Sequence, residues 1–125
     1  MSLDAIGIPS HNIKKSVEFY KILGIDLQET GSPDHLEGKT PSGVRIMLDS
    51  IDLMKKIQPD WKPSATSNVT LGFKQNDSAT VNSVFAEIKK AGFSVIKEPW
   101  DAFWGQRYCT VQDPDGNPID IFADL

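Results

Sequence analysis

Residues 113–122, Asp-Pro-Asp-Gly-Asn-Pro-Ile-Asp-Ile-Phe, decide the fold of this chain. Proline sets φ at one corner of a β-turn and glycine tolerates positive φ at the next, so residues 113–116 predict a tight turn. The alternating apolar residues that follow the turn predict a strand. A shorter version of the arrangement, Thr-Pro-Ser-Gly followed by Val-Arg-Ile-Met-Leu, occupies residues 40–48. The repetition predicts two copies of one supersecondary unit.

Hydrophobic spacing extends this repeat over the whole chain. In the first half, strands are predicted at residues 3–8, 25–29, 35–39 and 44–49, with a helix that begins at Ser10 or Asn12 and ends at Gly24. In the second half, strands are predicted at residues 69–74, 93–98, 107–112 and 118–123, with a helix from residues 76–78 to Gly92. Both halves therefore have the order β-α-β-β-β. We expect one domain in which residues 1–49 form the first module, residues 50–68 a linker with a short helix at 51–57, and residues 69–125 the second module.

The composition is typical of a soluble globular protein. The chain has 125 residues, of which 39% are hydrophobic and 24% charged, and its net charge is −4. A negative charge argues against nucleic acid or an anionic membrane as the partner. We find neither a signal peptide nor an apolar stretch of about 20 residues that could span a bilayer, so a cytoplasmic protein is expected. The single cysteine, Cys109, lies in a strand pattern and is predicted to be a buried, inert thiol.

Two segments together carry a resemblance to a known family. Residues 16–24, Ser-Val-Glu-Phe-Tyr-Lys-Ile-Leu-Gly, and residues 113–122 resemble the vicinal oxygen chelate superfamily, which includes glyoxalase I, extradiol dioxygenases, and fosfomycin- and bleomycin-resistance proteins. The resemblance implies an α+β fold of the glyoxalase/bleomycin-resistance type. In that fold, two βαβββ modules form a cupped, partly open mixed β-barrel with the helices outside and a ligand or metal inside. It also implies a homodimer.

Strand alternation predicts which side chains face the cup. Ile6 and Ile8 in the first strand, and Ile119 in the last, are assigned to the helix side. The residues that alternate with them along each strand therefore point to the other side. The residues expected to face the cup are Ala5, Gly7, Arg45, Met47, Thr70, Gly72, Asp120 and Phe122. Val69, Leu71 and Phe73 are assigned to the core.

The resemblance also places the family's metal ligands, and this chain departs from the pattern there. The corresponding positions are Ala5, Met47, Thr70 and Asp120, of which Asp120 alone has a good oxygen donor. Catalytic metal sites usually have about three protein ligands. The two histidines, His11 and His35, are expected to be solvated or capping residues. We therefore predict no metal ion and no other cofactor.

Aromatic residues are the other candidates for function. Trp100, Phe103 and Trp104 fall in a predicted loop at residues 99–105, and Tyr108 follows it. Such a cluster offers a flat ligand a stacking surface. The alternative is that these rings plug the mouth of the barrel or lie at a dimer interface, and both roles are compatible.

Each of the charged residues Arg45, Asp120 and Arg107 has two predicted alternatives. Arg45 and Asp120 either pair with each other across the modules or bind opposite charges on a ligand. Arg107 either clamps an anionic group or faces solvent. Asp113 and Asp115 are expected to serve the turn through hydrogen bonds to its backbone.

These residues favour a binding protein over an enzyme. The predicted function is metal-independent binding of a small, partly aromatic molecule, for which the acidic composition favours a cation, as in drug-sequestering proteins of the bleomycin-resistance type that give antibiotic resistance. The predicted ligand-binding residues are Arg45, Met47, Thr70, Trp100, Phe103, Trp104, Tyr108, Asp120 and Phe122. One alternative is a metalloenzyme like glyoxalase I, a lyase, or like an extradiol dioxygenase. The other is a dimeric interaction module without a small ligand.

Overall fold

Two four-stranded mixed sheets, one in each half of the chain, make up the fold. The computed structural model describes residues 1–64 and 66–125, and these two ranges correspond to two separate units. Residue 65, which belongs to the predicted linker 50–68, lies outside the described residues. Across the described ranges, no helix has both the length and the apolar character that a membrane crossing requires.

The first unit has the order β-α-β-β-β followed by a short helix. Its elements are β1 (Ala5–Ser10), α1 (Ile13–Ile22), β2 (Gln28–Ser32), β3 (His35–Lys39), β4 (Arg45–Ser50) and α2 (Ile51–Ile57). The strand order is β1-β4-β3-β2, with β1 parallel to β4 and the other neighbours antiparallel. Helix α1 begins where the Asn12 side chain accepts a hydrogen bond from the backbone N–H of Lys15. Helix α2 lies within the predicted linker and packs against β4 and β1.

The second unit repeats this arrangement. Its elements are β5 (Leu71–Lys74), α3 (Ser78–Lys90), β6 (Val95–Ala102), β7 (Gln106–Gln112) and β8 (Pro118–Asp124). The strand order is β5-β8-β7-β6, with β5 parallel to β8 and the other neighbours antiparallel. Asp77 caps α3 by accepting from the Thr80 N–H, and α3 packs against β6, β7 and β8.

Each sheet buries one face and leaves the other partly exposed. In the first unit the buried face includes Ile46 and Leu48, and α1 buries Phe19 and Tyr20. In the second unit the buried face carries Cys109, Val111, Ile119 and Ile121, and α3 buries Val81, Phe85 and Ile88. Their strand neighbours point to the opposite face, called here the helix-free face of each sheet. The predicted α+β class and paired βαβββ modules are confirmed.

Several predicted strand limits are wrong. Strand β1 continues through Pro9 to Ser10, because β1 is an edge strand of its sheet and can tolerate a residue without an N–H. Strand β2 begins at Gln28 rather than at residue 25, since Ile25 and Leu27 are core residues that follow the helix. Val69, expected in the core, precedes β5 and is 66% exposed.

The predicted aromatic loop at residues 99–105 is mostly strand. Strand β6 runs to Ala102, so only a short turn at 103–105 joins it to β7. Gly105 has a φ of +95°, a conformation that favours glycine and closes this turn. As a result, Trp100 lies on the sheet, directly opposite Tyr108.

Candidate functional site

Five aromatic rings form a continuous series on the second unit, which we call the aromatic row. The row consists of Phe103, Trp104, Trp100, Tyr108 and Phe122. Trp104 contacts Phe103, Trp100 and Tyr108 at ring-centroid distances of 5.0, 5.5 and 5.3 Å. Phe103 also contacts Trp100 at 6.4 Å, and Tyr108 contacts Phe122 at 5.5 Å. Most contacts are edge-to-face, but Tyr108 and Phe122 stack with an interplanar angle of 18°. Phe103 is 92% exposed and Trp104 is 50% exposed. The turn at 103–105 therefore presents large apolar rings to solvent.

The row ends beside a carboxylate that is held by two hydroxyl groups. The Tyr108 hydroxyl donates to one oxygen of Asp120 at 2.5 Å, and the Thr110 hydroxyl donates to the other at 2.6 Å. Thr110 lies directly opposite Asp120 across β7 and β8, and Tyr108 lies opposite Phe122. Burial, helped by the Asp120 carboxylate, raises the pKa of Tyr108 to about 12. The phenol therefore stays protonated near neutral pH and keeps donating to Asp120.

The residue next to this carboxylate on the neighbouring strand is a glycine. Gly72 is the partner of Asp120 across the parallel pair of β5 and β8, and it has no side chain to cover the acid. A Cβ at this position would lie 3.3 Å from the Phe122 ring. The backbone at position 72 therefore packs closely against the Phe122 ring, and an added side chain would press on that ring.

Polar side chains line the rim next to the exposed rings. The Trp104 indole N–H donates to Gln106 at 2.8 Å, and the Gln106 amide donates to Asp124 at 3.1 Å. Lys74 donates to the other oxygen of Asp124 at 2.8 Å. The indole N–H is therefore already engaged within the unit.

A lysine from β6 already uses one ring of the row. The Lys97 ammonium lies 4.6 Å from the Trp100 ring centroid. This geometry is a cation–π contact, in which the ring face attracts positive charge. The row can hold a cation against its surface, as its own lysine demonstrates.

A second polar cluster occupies the helix-free face of the first unit. His35 contacts Asp49 through Nδ1 and Glu37 through Nε2, the latter at 2.8 Å. Arg45 then donates to Glu37 at 2.7 Å and to Asp4 at 2.6 Å. Hydrogen bonds to Asp49 and then to Glu37 hold the pKa of His35 above its ordinary value of 6.5. The same kind of contact, first from His35 and then from Arg45, lowers the pKa of Glu37.

The residues present do not fit the divalent metal that the predicted family resemblance implies. Ala5 and Met47 offer no hard donor, and Thr70, whose neutral hydroxyl is a poor ligand, precedes β5 and is exposed. Both oxygens of Asp120 already accept hydrogen bonds. Within residues 1–64 and 66–125, no three histidine, cysteine or acidic side chains are grouped so that they could hold a metal ion.

The structure also places the predicted charged residues. Arg45 and Asp120 each have hydrogen-bond partners inside their own unit. Arg107 points to the helix side, where it donates to Asn82 and Asp101 at 3.1 Å each, and its side chain is 26% exposed.

Asp113 and Cys109 are the predicted turn residue and the predicted buried thiol of the second unit. Asp113 is buried and accepts from the backbone N–H groups of Asp115 and Asn117, as its predicted turn role requires. Cys109 is fully buried, and burial raises the pKa of its thiol to about 11.

Sequence reasoning missed two residues. His35 was expected to be solvated or capping, but its side chain is 25% exposed and bonded to two carboxylates. A signal existed in the alternation of His35, Glu37 and Lys39, which places an acid and a base on one face of β3. Lys97 was missed because its contact with Trp100 depends on an irregular register between β6 and β7.

A family model, the glyoxalase/bleomycin resistance protein/dioxygenase superfamily, matches residues 2–121. No curated protein matches the chain at a significant level.

Solved structures give the same fold. A glyoxalase/bleomycin resistance protein/dioxygenase family enzyme from Burkholderia phytofirmans PsJN aligns over 100% of both chains, with 22% identity and a TM-score of 0.82. An Agrobacterium tumefaciens protein solved by NMR aligns over 100% of this chain and 98% of its own, with 27% identity and a TM-score of 0.76. A lactoylglutathione lyase from A. tumefaciens aligns over 98% of this chain and 92% of its own, with 13% identity and a TM-score of 0.70. Identities this low show a shared fold and not a shared reaction.

Proposed function

Because the chain belongs to the glyoxalase/bleomycin resistance protein/dioxygenase superfamily, we propose that it binds a small, flat, cationic molecule at the aromatic row without a metal ion. The membership confirms the resemblance predicted from residues 16–24 and 113–122. The family name covers both enzymes and drug-binding proteins, so the choice between them depends on the residues of this chain.

The observation that carries the proposal is the aromatic row with Asp120 at its end. Stacked and edge-to-face rings give a flat ligand a large apolar contact, worth about 0.5–1.5 kcal/mol per ring pair beyond the buried area. Asp120 supplies a negative charge at the end of that surface, where it would attract a cation. The Lys97 ammonium above Trp100 supports the same conclusion, because it is a positive charge already held by the row.

Binding alone requires no reacting group. A ligand can be sequestered by an apolar surface with a few well-placed polar atoms. The metal-dependent alternatives, a glyoxalase-like lyase or a dioxygenase, need a set of donor side chains, and Ala5, Met47 and Thr70 are poor substitutes for one. Sequestration of a cationic drug by a cytoplasmic homodimer, and thereby antibiotic resistance, is the role we propose.

Three-ring probes of one shape test the proposal. We expect 9-aminoacridine and 10-methylacridinium, both planar cations at pH 7.5, to bind in calorimetric titrations, and acridine-9-carboxylate to bind far more weakly. Trp104→Ala should weaken binding of both cations about tenfold, because it removes the central ring of the row. Trp61→Ala, which removes a tryptophan from the first unit, is the matched control and should leave affinity unchanged. Absence of saturable binding by either cation overturns the proposal.

The exposed rings also favour a second candidate, a protein interface. Phe103 is 92% exposed at the tip of the β6–β7 turn, a position from which it could enter a partner surface. Sedimentation of Phe103→Ala against the unchanged protein distinguishes the two functions. Loss of self-association with unchanged affinity for the acridine cations would assign Phe103 to an interface, whereas weaker probe binding at unchanged mass would assign it to the ligand site.

A further inference from the structure

Hydrogen-bond direction around Asp120 restricts what the ligand can be. A carboxylate can only accept hydrogen bonds, so both hydroxyl contacts have an assigned donor. Tyr108 gives its only O–H proton to one oxygen of Asp120, and Thr110 gives its only O–H proton to the other. The atoms that these two side chains can still offer a ligand are the lone pairs on their hydroxyl oxygens.

The floor of the site therefore presents acceptors alone. It consists of the two hydroxyl oxygens and the remaining lone pairs of the Asp120 carboxylate. Hydrogen bonds in a chain polarise one another, which makes the hydroxyl oxygens better acceptors still. Two donors of the same unit have partners of their own: the Trp104 indole N–H is engaged by Gln106, and the ammonium of Lys97, which lies opposite Thr110, is held over the Trp100 ring.

This arrangement of acceptors disfavours a ligand that has no hydrogen-bond donor. A ligand carbonyl or carboxylate at this floor would face four oxygens, none with a hydrogen left to donate to it, and would lose its hydrogen bonds to water. A quaternary ammonium would keep the charge attraction but would leave the acceptors desolvated and unpaired. A protonated nitrogen that carries hydrogens satisfies both the charge and the acceptors.

From this geometry we infer that the ligand is a planar cation with N–H donors, such as a protonated aromatic amine or an amidinium, and that Tyr108, Thr110 and Asp120 select it over a quaternary cation of the same shape. This inference rests on the proposed function, because it assumes that the ligand binds at the aromatic row.

The acridine probes separate the inference from the proposed function. We expect 9-aminoacridine, a cation with N–H donors, to bind at least tenfold more tightly than 10-methylacridinium, which has the same rings and charge without an N–H. Equal affinities would overturn the inference and leave the proposed function standing. Failure of both probes to bind would overturn both.

A change at Asp120 tests the assigned hydrogen-bond directions. In Asp120→Asn, the new amide N–H₂ must find an acceptor, so it takes a lone pair of Tyr108 or Thr110 and turns that hydroxyl proton toward the ligand. We expect this variant to lose the preference for 9-aminoacridine and to bind neutral acridine, whose ring nitrogen is an acceptor, more tightly than the unchanged protein does. Weaker binding of every probe by a variant that keeps the thermal unfolding midpoint of the unchanged protein would overturn the inference.

The matched control is Asp124→Asn on the same sheet. It removes one negative charge near the rim but leaves Tyr108, Thr110 and Asp120 in place. Both cations should weaken by a similar small factor, and their ratio should stay constant. A ratio that falls as far in this variant as in Asp120→Asn would show that net charge, and not hydrogen-bond direction, makes the selection.

Discussion

The His35 imidazole and the Asp49 carboxylate lie directly opposite each other across β3 and β4 and form a hydrogen bond through Nδ1. The second ring nitrogen contacts Glu37 at 2.8 Å. Both nitrogens can donate at once only if the ring is protonated. The two carboxylates therefore raise the pKa of His35, with Asp49 as the larger cause. The cluster links β3 to β4 most strongly when the ring carries a charge.

This linkage predicts a pH dependence of stability. The folded-state pKa of His35 lies above the ordinary value of 6.5, so its contribution should be complete below about pH 6.5 and lost as the pH rises through the raised pKa. We expect urea unfolding between pH 5.5 and 8.5 to show a fall of about 1 kcal/mol, since the site is partly exposed and screened. His35→Gln should lack this fall. A variant curve parallel to that of the unchanged protein would contradict the prediction.

Gly38 lies where an added methyl group should destabilise the fold. A Cβ at Gly38 would lie 2.8 Å from the backbone oxygen of Asp26 and 2.9 Å from a methyl of Ile25. Since backbone cannot move away cheaply, we expect Gly38→Ala to lower the free energy of unfolding by about 2 kcal/mol. Gly7→Ala is the control, because its nearest neighbour, the Met47 methyl, lies at an ordinary 3.8 Å. Equal unfolding midpoints in urea for the two variants would disprove the close contact.

Much of the fold was predictable because its signals are local. The turn at 113–116 and the alternation after it depend on neighbouring residues, and the structure confirms the strand that begins at Pro118. The same holds for the helices, whose caps at Asn12 and Asp77 lie within the predicted entry segments.

The candidate site was less predictable because it depends on register. The contact between His35 and Asp49 needs the pairing of β3 with β4, which alternation within one strand cannot supply. Likewise, proline at position 99 and three nearby aromatic residues suggested a loop, yet pairing with β7 continues the strand to Ala102. The Asp4 partner of Arg45 was missed because alternation along the predicted strand at 3–8 puts Asp4 on the same side as Ile6 and Ile8, whereas β1 begins only at Ala5.

Asp113 predicts a strong dependence of the second unit on its decisive turn. The buried carboxylate accepts from the backbone N–H groups of Asp115 and Asn117 and from the Asn117 amide, at 2.9, 2.9 and 2.8 Å. We expect Asp113→Ala to cost about 2–3 kcal/mol in chemical unfolding, because three donors lose their acceptor. Asp113→Asn keeps one oxygen for the two backbone donors and should recover at least half of the loss. If the two variants are equally unstable, the hydrogen bonds are not the cause.

Tyr108 predicts alkaline destabilisation. Its pKa is raised to about 12 by burial and by Asp120, whereas an unfolded tyrosine ionises near 10. A raised folded-state pKa gives stability that is complete below pH 10 and lost as the pH rises toward 12, by about 2 kcal/mol for a shift of this size. Unfolding at pH 9, 10.5 and 11.5 should show this loss in the unchanged protein. Tyr108→Phe should be less sensitive over the same range, and an identical pH slope would refute the assignment.

Replacement of Lys97 should improve ligand binding. Its ammonium lies over Trp100, so it occupies one ring face and repels an incoming cation. Lys97→Met should therefore tighten the binding of 9-aminoacridine about threefold, an effect in the range of about 0.5–1 kcal/mol expected for an exposed cation–π contact. Lys89→Met is the matched control, because it removes the same charge from the α3 lysine that pairs with Glu98 at 3.0 Å. If both variants change the affinity equally, net charge explains the gain, and if Lys97→Met weakens binding, the lysine is part of the binding surface rather than a competitor for it.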